Sequence, residues 1–324
     1  MLGEGGPRNT PLAAEWLESF WSMKSDYVKG RIARGTSMSK LYVENSARAI
    51  QGKIVPLLKE VCGPRVRLDG IKTIHLERIL MKLSAEPGRA TRTANAIFQA
   101  LQVPLAEAFR LSLIPSNPAS RVRKLSESSA SRGILTTKEA KAFFDLQWKD
   151  RCSYGANLLA ATAGLRLGEV RGLLWEHVHD GYIDVSTNWQ DEEGIKAPKW
   201  HSVREVPVPK RTQEVLAELM KANPWGGPFV FWGKTADRPM RDFTIRGSFR
   251  SGLKAIEISE AEQTRRRLTF HSWRHFYNSM MRGRVADHAL RQLTGHRSEA
   301  MTERYSHVTE EQRAAIVEVV SSYL

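Results

Sequence analysis

Between His271 and Tyr305 the chain concentrates side chains that can move protons, carry positive charge or act as nucleophiles. If His271-Ser272-Trp273-Arg274-His275 is helical, positions 271, 274 and 275 stand at i, i+3 and i+4 and share one face. Two imidazoles and a guanidinium on one face are costly to bury for packing alone. Leu293-Thr294-Gly295-His296 then reads as a helix ended by glycine, and Tyr305 follows His296 by nine positions, so a third imidazole and a phenol lie one short helix apart. Upstream, Arg166 follows Gly164-Leu165 and would either cap a helix, pair with Glu169, or serve a site. Singly, each residue has an ordinary explanation: a lone His is usually a satisfied surface or core group, and Tyr305 alone reads as an amphipathic packing residue. His271 and His275 have the spacing of a zinc pair, but the glutamate of H-E-x-x-H is absent and Arg274 would repel a dication.

The elements that must position these groups fall into two parts. Thr10-Pro11 reads as an N-cap followed by a proline at the first helical position, opening a helix with Leu12, Trp16, Phe20 and Tyr27 on one face. A second helix carries Tyr42, Val43, Ile50 and Ile54, and a third Leu76, Ile79, Leu80 and Leu83. A fourth begins after Arg92 with Ile97 and Leu101, and Pro104 is expected to bend or split it. Residues 10–115 thus read as all helical. Asn117-Pro118 and the Ser-rich stretch Ser126 to Ser131 suit a linker, since they favour turns and offer little to bury. The second part starts near Leu135, with Thr136 or Thr137 as a cap. A helix through Leu158 and Leu159 runs into Gly164, and another starts at Leu167 with Val170 and Leu174 inward. Tyr182 to Thr187 alternates like a half-buried strand, Glu205 to Pro209 reads as its edge partner, and Asp191 to Lys199 makes the bend. Ile245, Phe249, Leu253 and Ile256 return to helical spacing, and further helices follow His271, Ala286 and Ser298. Thr309-Glu310-Glu311-Gln312 is a capping box opening a last helix, with Ile316, Val319, Val320 and Tyr323 on one stripe.

Charge narrows the partner. The 324 residues carry 49 Lys and Arg against 35 Asp and Glu, a formal net charge of +14. Both parts are basic, with 20 Lys and Arg against 11 Asp and Glu in residues 1–130 and 29 against 24 in the remainder. Such an excess attracts a polyanion and releases its counterions on binding, so nucleic acid is the expected partner. The two cysteines, Cys62 and Cys152, are far apart and outside any CxxC, which supports neither a disulfide framework nor a thiolate metal site and suits a reducing compartment. With no apolar stretch of spanning length and no signal-like start, the expectation is a soluble cytoplasmic protein with no membrane partner.

In order and spacing, Arg166, Lys199, His271-x-x-Arg274, Gly295-His296 and Tyr305 resemble the active site of the tyrosine recombinases, the phage integrase family. The first box of that family stands here as Ala163-Gly164-Leu165-Arg166-Leu167-Gly168-Glu169-Val170, continued by Leu173 and Trp175. The β-hairpin lysine corresponds to Lys199, eight positions before Pro207 in Arg204-Glu205-Val206-Pro207, with Lys196 as its rival. The second box is His271 to His275, and the nucleophile stands in Arg304-Tyr305-Ser306-His307-Val308. Three positions depart from the family's habit: Ala163 where Thr is usual, Trp273 where Leu is usual, and Thr294 where a small or apolar residue is common. None replaces a reactive group.

The resemblance implies a mainly α fold with a small antiparallel β-sheet: an N-terminal helical core-binding domain and an α+β catalytic domain. The boundaries it implies are a tail at 1–9, the core-binding domain at 10–122, a linker at 123–134, the catalytic domain at 135–308 and a C-terminal helix at 309–324 that docks on a neighbouring subunit. It further implies DNA cleavage and rejoining through a 3′-phosphotyrosine and a Holliday junction, with neither ATP nor metal nor any other cofactor. Arg166, Lys199, His271, Arg274, His296 and Tyr305 are the implied catalytic residues. The partners would be double-stranded DNA with paired recombination sites, clamped by the two domains, a homo-tetramer on that DNA, and accessory DNA-bending proteins at some sites; the setting is a phage or mobile element and the nucleoid. About ten residues precede the first helix, which fits either simple core sites or a shortened chain. A type IB topoisomerase-like or telomere-resolving enzyme shares this residue set, but the short length and small helical N-terminal part argue against it. A non-cutting DNA-binding regulator of the same fold is opposed by the presence of every catalytic candidate, and a metal nuclease by the lack of an acidic cluster.

Overall fold

The computed structural model describes residues 10–36, 38–127, 132–198, 203–282 and 284–295. The chain divides into two compact units, Met1–Ser129 and Ala130–Leu324. As expected, the described residues are mainly helical with a small antiparallel β component. None of their helices is long and apolar enough to cross a membrane.

Among the described residues, six α-helices build the first unit: α1 (Ala13–Phe20), α2 (Asp26–Ala33), α3 (Lys40–Ala49), α4 (Val55–Cys62), α5 (Thr73–Ala85) and α6 (Thr91–Arg110). Their apolar stripes close over Leu17, Ile50, Leu58, Leu76, Phe98 and Leu101, all at most 1% exposed. The single helix expected from Thr10 to Tyr27 is two. Thr10 is not its cap: Leu12 occupies that position without a side-chain bond, and α2 has its own cap in Ser25, whose Oγ accepts from the Val28 amide at 3.3 Å. Tyr27 nonetheless returns to the same cluster, its ring 4.4 Å from that of Phe20. The second expected helix is interrupted by a π turn at Ile50–Ile54, where the Val55 amide reaches back to Ile50. The irregularity lies just ahead of Pro56, which has no N–H for the carbonyl of Gly52.

Pro104 does not split α6, which runs unbroken to Arg110. A proline leaves the carbonyl four residues back without its helical donor. Here that carbonyl, on Ala100, accepts the buried indole N–H of Trp21 at 2.8 Å, and the carbonyl of Pro104 accepts Trp16 Nε1 at 3.3 Å. The indole of Trp21 thus supplies the donor that Pro104 lacks, and Trp16 adds a second bond one turn on. Past α6, Asn117 caps a short 3-10 turn at Pro118–Arg121, and Ala119 and Val122 enter the first core. Asn95 brackets Leu125, donating to its carbonyl at 2.9 Å and accepting from its amide at 3.1 Å.

The second unit is organised on α8 (Arg151–Ala163), which is buried along nearly its whole length. Around it lie α7 (Thr137–Asp145), α9 (Leu167–Gly172), α10 (Lys210–Ala222), α11 (Asp242–Ala255), α12 (Glu260–Arg265), α13 (Ser272–Met281) and α14 (Asp287–Thr294), with α10, α11 and α13 packed directly on α8. Thr136 caps α7 in a reciprocal box with Glu139. Strands β1 (Tyr182–Val185) and β4 (Arg204–Pro207) pair antiparallel, Ile183 opposite Val206 and Val185 opposite Arg204. The stretch between them, expected as a plain bend, holds a second ladder, β2 (Asn188–Gln190) with β3 (Gly194–Lys196), and β2 packs on α9. Helices α10 and α12 had no place in the sequence expectation. Arg266 fastens the entry of this unit, with its guanidinium on both oxygens of Glu139 at 2.6 and 2.8 Å and on the carbonyl of Ile134 at 2.7 Å.

The tryptophan clasp on α6 gives a test. Trp21→Phe is expected to cost about 1 kcal/mol in urea unfolding, because the Ala100 carbonyl stays buried without a donor. In a Pro104→Ala background, where residue 104 regains an amide for that carbonyl, the same change should cost clearly less. Equal costs in the two backgrounds would show that the indole bond does not compensate the proline.

Candidate active site

Two glycine turns carry the site. Gly164 ends α8 in the left-handed conformation at φ 66°, and a Cβ there would lie 2.5 Å from Cδ1 of Tyr277. Glycine alone fits such a turn, which re-aims the chain so that Arg166 stands extended at the head of α9. Gly295 ends α14 in the same way at φ 63°.

Arg166 takes up both ordinary roles read from the sequence. Its amide donates to Oε2 of Glu169 at 2.9 Å and its Nη1 to Oε1 at 2.7 Å, while about a quarter of its side chain (24%) stays exposed. Glu169 is 2% exposed, and the same carboxylate accepts Nη2 of Arg204 at 2.8 Å and Nη1 at 3.3 Å. Burial by itself would raise the Glu169 carboxyl, but Arg204 foremost, then Arg166 and Arg274, hold it down to about 2. The carboxylate is therefore ionised at neutral pH.

Arg274, on α13, is 1% exposed. Its Nη1 donates to the carbonyl of Gly164 at 2.7 Å and its Nη2 to the carbonyl of Thr294. One guanidinium so bridges the turn before Arg166 and the turn before His296. Beside it, Nε of Arg204 donates to the carbonyl of Leu293 at 2.8 Å. Two consecutive carbonyls at the end of α14, which lack helical donors and carry the negative end of the helix dipole, thus each accept from a buried cation.

His271 precedes the first turn of α13, and its ring meets that of His275 edge to face at 5.0 Å. Burial lowers its pKa to about 3, assisted by His275, Arg274, Arg132 and Arg166. The imidazole is neutral at physiological pH and within electrostatic reach of both arginines. Among the described residues there is no group of three or more His, Cys, Asp and Glu that could hold a metal.

The substitutions that depart from the family's habit are satisfied locally. Trp273 is fully buried and donates through Nε1 to Oδ1 of Asn157 at 3.0 Å, while Asn157 Nδ2 donates to the Ser153 carbonyl at 2.8 Å and to Ser248 Oγ at 3.1 Å. Thr294 returns its hydroxyl to the Leu290 carbonyl at 2.7 Å. Ala163 packs without exposure at the end of α8.

Of the six expected catalytic residues, Arg166, His271 and Arg274 are brought together; Lys199, His296 and Tyr305 lie outside the described residues, as does the segment 309–324. Lys196, the rival lysine, ends β3 and forms an ion pair with Glu193 across the β2–β3 turn. Sequence reasoning passed over Arg204 and Arg171. The latter is 4% exposed, grips Asp191 at 2.6 and 3.1 Å and donates to the Met240 carbonyl at 2.9 Å, fastening the hairpin to α9. A signal for Arg204 was present: strand alternation puts it on the same face as Val206, which is fully buried, and an arginine on a core face requires a buried anion.

Residues 134–312 match the model of the phage integrase family. The integrase of Enterobacteria phage 434 is 25% identical over 75% of this chain and 65% of its own length. The tyrosine recombinase XerC of Rhodospirillum centenum is 29% identical over 59% of this chain and 52% of its own. The chain thus spans less than two thirds of the length of either relative. Among solved structures, the Tn1549 transposon integrase in complex with a circular intermediate DNA superposes with a TM-score of 0.70 at 21% identity, covering 95% of this chain and 99% of that one. A lambda integrase tetramer bound to a Holliday junction gives 0.66 at 19% identity, covering 93% and 78%. At these identities the likeness is one of fold. The family match takes in more than half of the chain and encloses the whole arginine–glutamate cluster, and so the chain belongs to the phage integrase family, that of the tyrosine recombinases.

Proposed function

We propose that the chain is a site-specific DNA recombinase that cuts and rejoins DNA through a covalent bond to Tyr305. The observation that carries this reading is the bridging of the two glycine turns by buried Arg274, with Arg166 and a neutral His271 in electrostatic reach. The phenolic oxygen of Tyr305 attacks a backbone phosphorus, the bond to the 5′-oxygen breaks, and a 3′-phosphotyrosine and a 5′-hydroxyl result. Attack of a 5′-hydroxyl from another strand reverses the step and releases the phenol, so the ester is conserved and no ATP is consumed. Negative charge grows on the nonbridging oxygens, and guanidiniums suit it because they stay protonated and donate in pairs. Removing Arg166 or Arg274 should forfeit about 3 kcal/mol of transition-state stabilisation.

A phenol of ordinary pKa near 10 needs an acceptor for its proton, and a neutral imidazole at His271 can take it. Lys199 protonates the departing 5′-oxygen, and His296 donates to the same phosphate as the arginines. Two basic units suit the duplex backbone, so binding weakens steeply with salt. Exchange between paired sites passes through a Holliday junction on a tetramer, with the stripe Ile316, Val319, Val320 and Tyr323 packing on a neighbouring copy. Support for that assembly comes from the fold shared with the lambda integrase tetramer bound to such a junction.

Covalent capture tests the reading. A pool of nicked duplexes of random sequence, incubated in EDTA, should yield a denaturation-resistant protein–DNA adduct with the wild-type chain and none with Tyr305→Phe, and sequencing the captured DNA gives the cut site. An adduct from the Phe variant would move the nucleophile elsewhere, and a requirement for metal would oppose the mechanism. On the captured sequence, Lys199→Ala should block cleavage and Lys196→Ala leave it; a 5′-thiol leaving group, which needs no acid, should rescue the former. Rescue of Lys196→Ala alone would reverse the assignment.

The state of His271 has a second consequence. The unfolded chain takes up a proton near pH 6.5 and the folded site does not until about 3, so acidification between those values favours unfolding, whereas above pH 6.5 the group is silent. Lowering the pH from 7.5 to 5.5 should therefore destabilise the wild-type chain by about 1 kcal/mol more than His271→Asn. Identical urea midpoints shifts in the two proteins would mean that His271 is not held neutral.

A further inference from the structure

Arg204 is held in a way that its place on a short strand does not require. Its residue exposure is 9%, its two terminal nitrogens fork onto the Glu169 carboxylate, and its Nε reaches the Leu293 carbonyl on α14. One guanidinium so joins three chain segments: β4, five residues after Lys199 in sequence; α9, which Arg166 heads; and the end of α14, three residues before His296.

We propose that Arg204 is a positioning residue for phosphate activation: it shares the charge of Glu169 with Arg166, so that Arg166 does not have to neutralise the carboxylate alone, and it holds the end of α14 at Leu293, three residues before His296 in sequence. The inference rests on the recombinase reading above. The physical argument is one of competition. Glu169 is buried and ionised, and a buried carboxylate draws to itself whatever cation is in reach. Were Arg166 its sole strong partner, a phosphate would have to pull Arg166 from that pairing. With Arg204 on both oxygens at 2.8 and 3.3 Å, Arg166 shares the carboxylate through Nη1 at 2.7 Å instead of matching it alone, and its side chain, a quarter exposed (24%), can turn toward a substrate without leaving Glu169 unpaired. The Leu293 bond adds a geometric demand: the fork and the Nε donor act together only on a planar guanidinium, which a lysine cannot imitate.

The test uses the full chain and the duplex recovered by covalent capture, in nicked form with either a 5′-oxygen or a 5′-thiol leaving group. Single-turnover adduct formation at saturating duplex, duplex affinity by anisotropy and thermal melting are measured for wild type, Arg204→Met and Arg204→Lys. Arg204→Met should bind the duplex within about threefold of wild type yet form adduct about 100-fold more slowly, with Arg204→Lys between them at about tenfold slower, the scale of a misplaced reacting group. The loss should be the same for the oxygen and thiol substrates, unlike that of Lys199→Ala. Adding Glu169→Gln to Arg204→Met should recover part of the rate, since the competing charge is gone. If Arg204→Met does not fold, Arg204→Lys decides, and a wild-type rate in that variant overturns the proposal. It is also overturned by a wild-type rate in folded Arg204→Met, by weaker binding with an unchanged rate at saturation, or by rescue with the thiol, which would assign Arg204 to the leaving group. Absence of adduct from the wild-type chain is a separate result and overturns the recombinase reading itself.

Discussion

A carboxylate withdrawn from water must be matched by cations, and the second unit is arranged around that requirement at Glu169. Its two oxygens take hydrogen bonds from Arg166 and Arg204, and Arg274 adds its field. Each arginine then reaches a different part of the chain: the head of α9, the strand β4 and the end of α14, and the paired glycine turns. The positive charge of the three arginines is thus assembled and oriented by contacts within the chain itself. In a low-dielectric site, such preorganisation is worth more than the same charges free in water.

The cost of burying guanidiniums is met by carbonyls. Arg274 is almost wholly buried, yet two of its nitrogens face backbone oxygens at helix ends, where those oxygens have no helical donor. Helix termination, usually a matter of capping, here supplies acceptors for the cluster. The left-handed glycines at 164 and 295 make both terminations sharp enough to present them. Packing holds the arrangement in place: Trp273, one residue before Arg274, fills the core between α13 and α8 and is itself tied to Asn157. Around His271 the same cations and the same burial act in one direction and keep the ring neutral, which is the protonation state a proton acceptor requires.

Much of this was readable because it rests on local rules. Gly164 and Gly295 announce helix ends, Thr136 with Glu139 announces a cap, and the i, i+3, i+4 placement of His271, Arg274 and His275 follows from helix geometry alone. The elements misread were those decided by partners distant in sequence. Pro104 breaks no helix because Trp21 replaces the missing donor from 79 residues away. Tyr27 lies on a separate helix from Trp16 although both read as one stripe, since that stripe is satisfied equally by two short helices meeting one core. The β2–β3 ladder is only three residues a side and carries no long alternation, and it is Arg171 gripping Asp191 that fastens it.

The sequence by itself determined the family, the order of the candidate site residues, the basic character of both units and the glycines that end α8 and α14. Those properties are written residue by residue or over one turn of helix. Only the tertiary structure decided that Glu169 is a buried, ionised hub, that Arg204 shares it with Arg166, and that Arg274 spends its nitrogens on the carbonyls of Gly164 and Thr294. The physical reason is that burial and charge pairing depend on which distant segments close over a group, and α9, β4, α13 and α14 meet at this carboxylate and these turns only when the chain has folded.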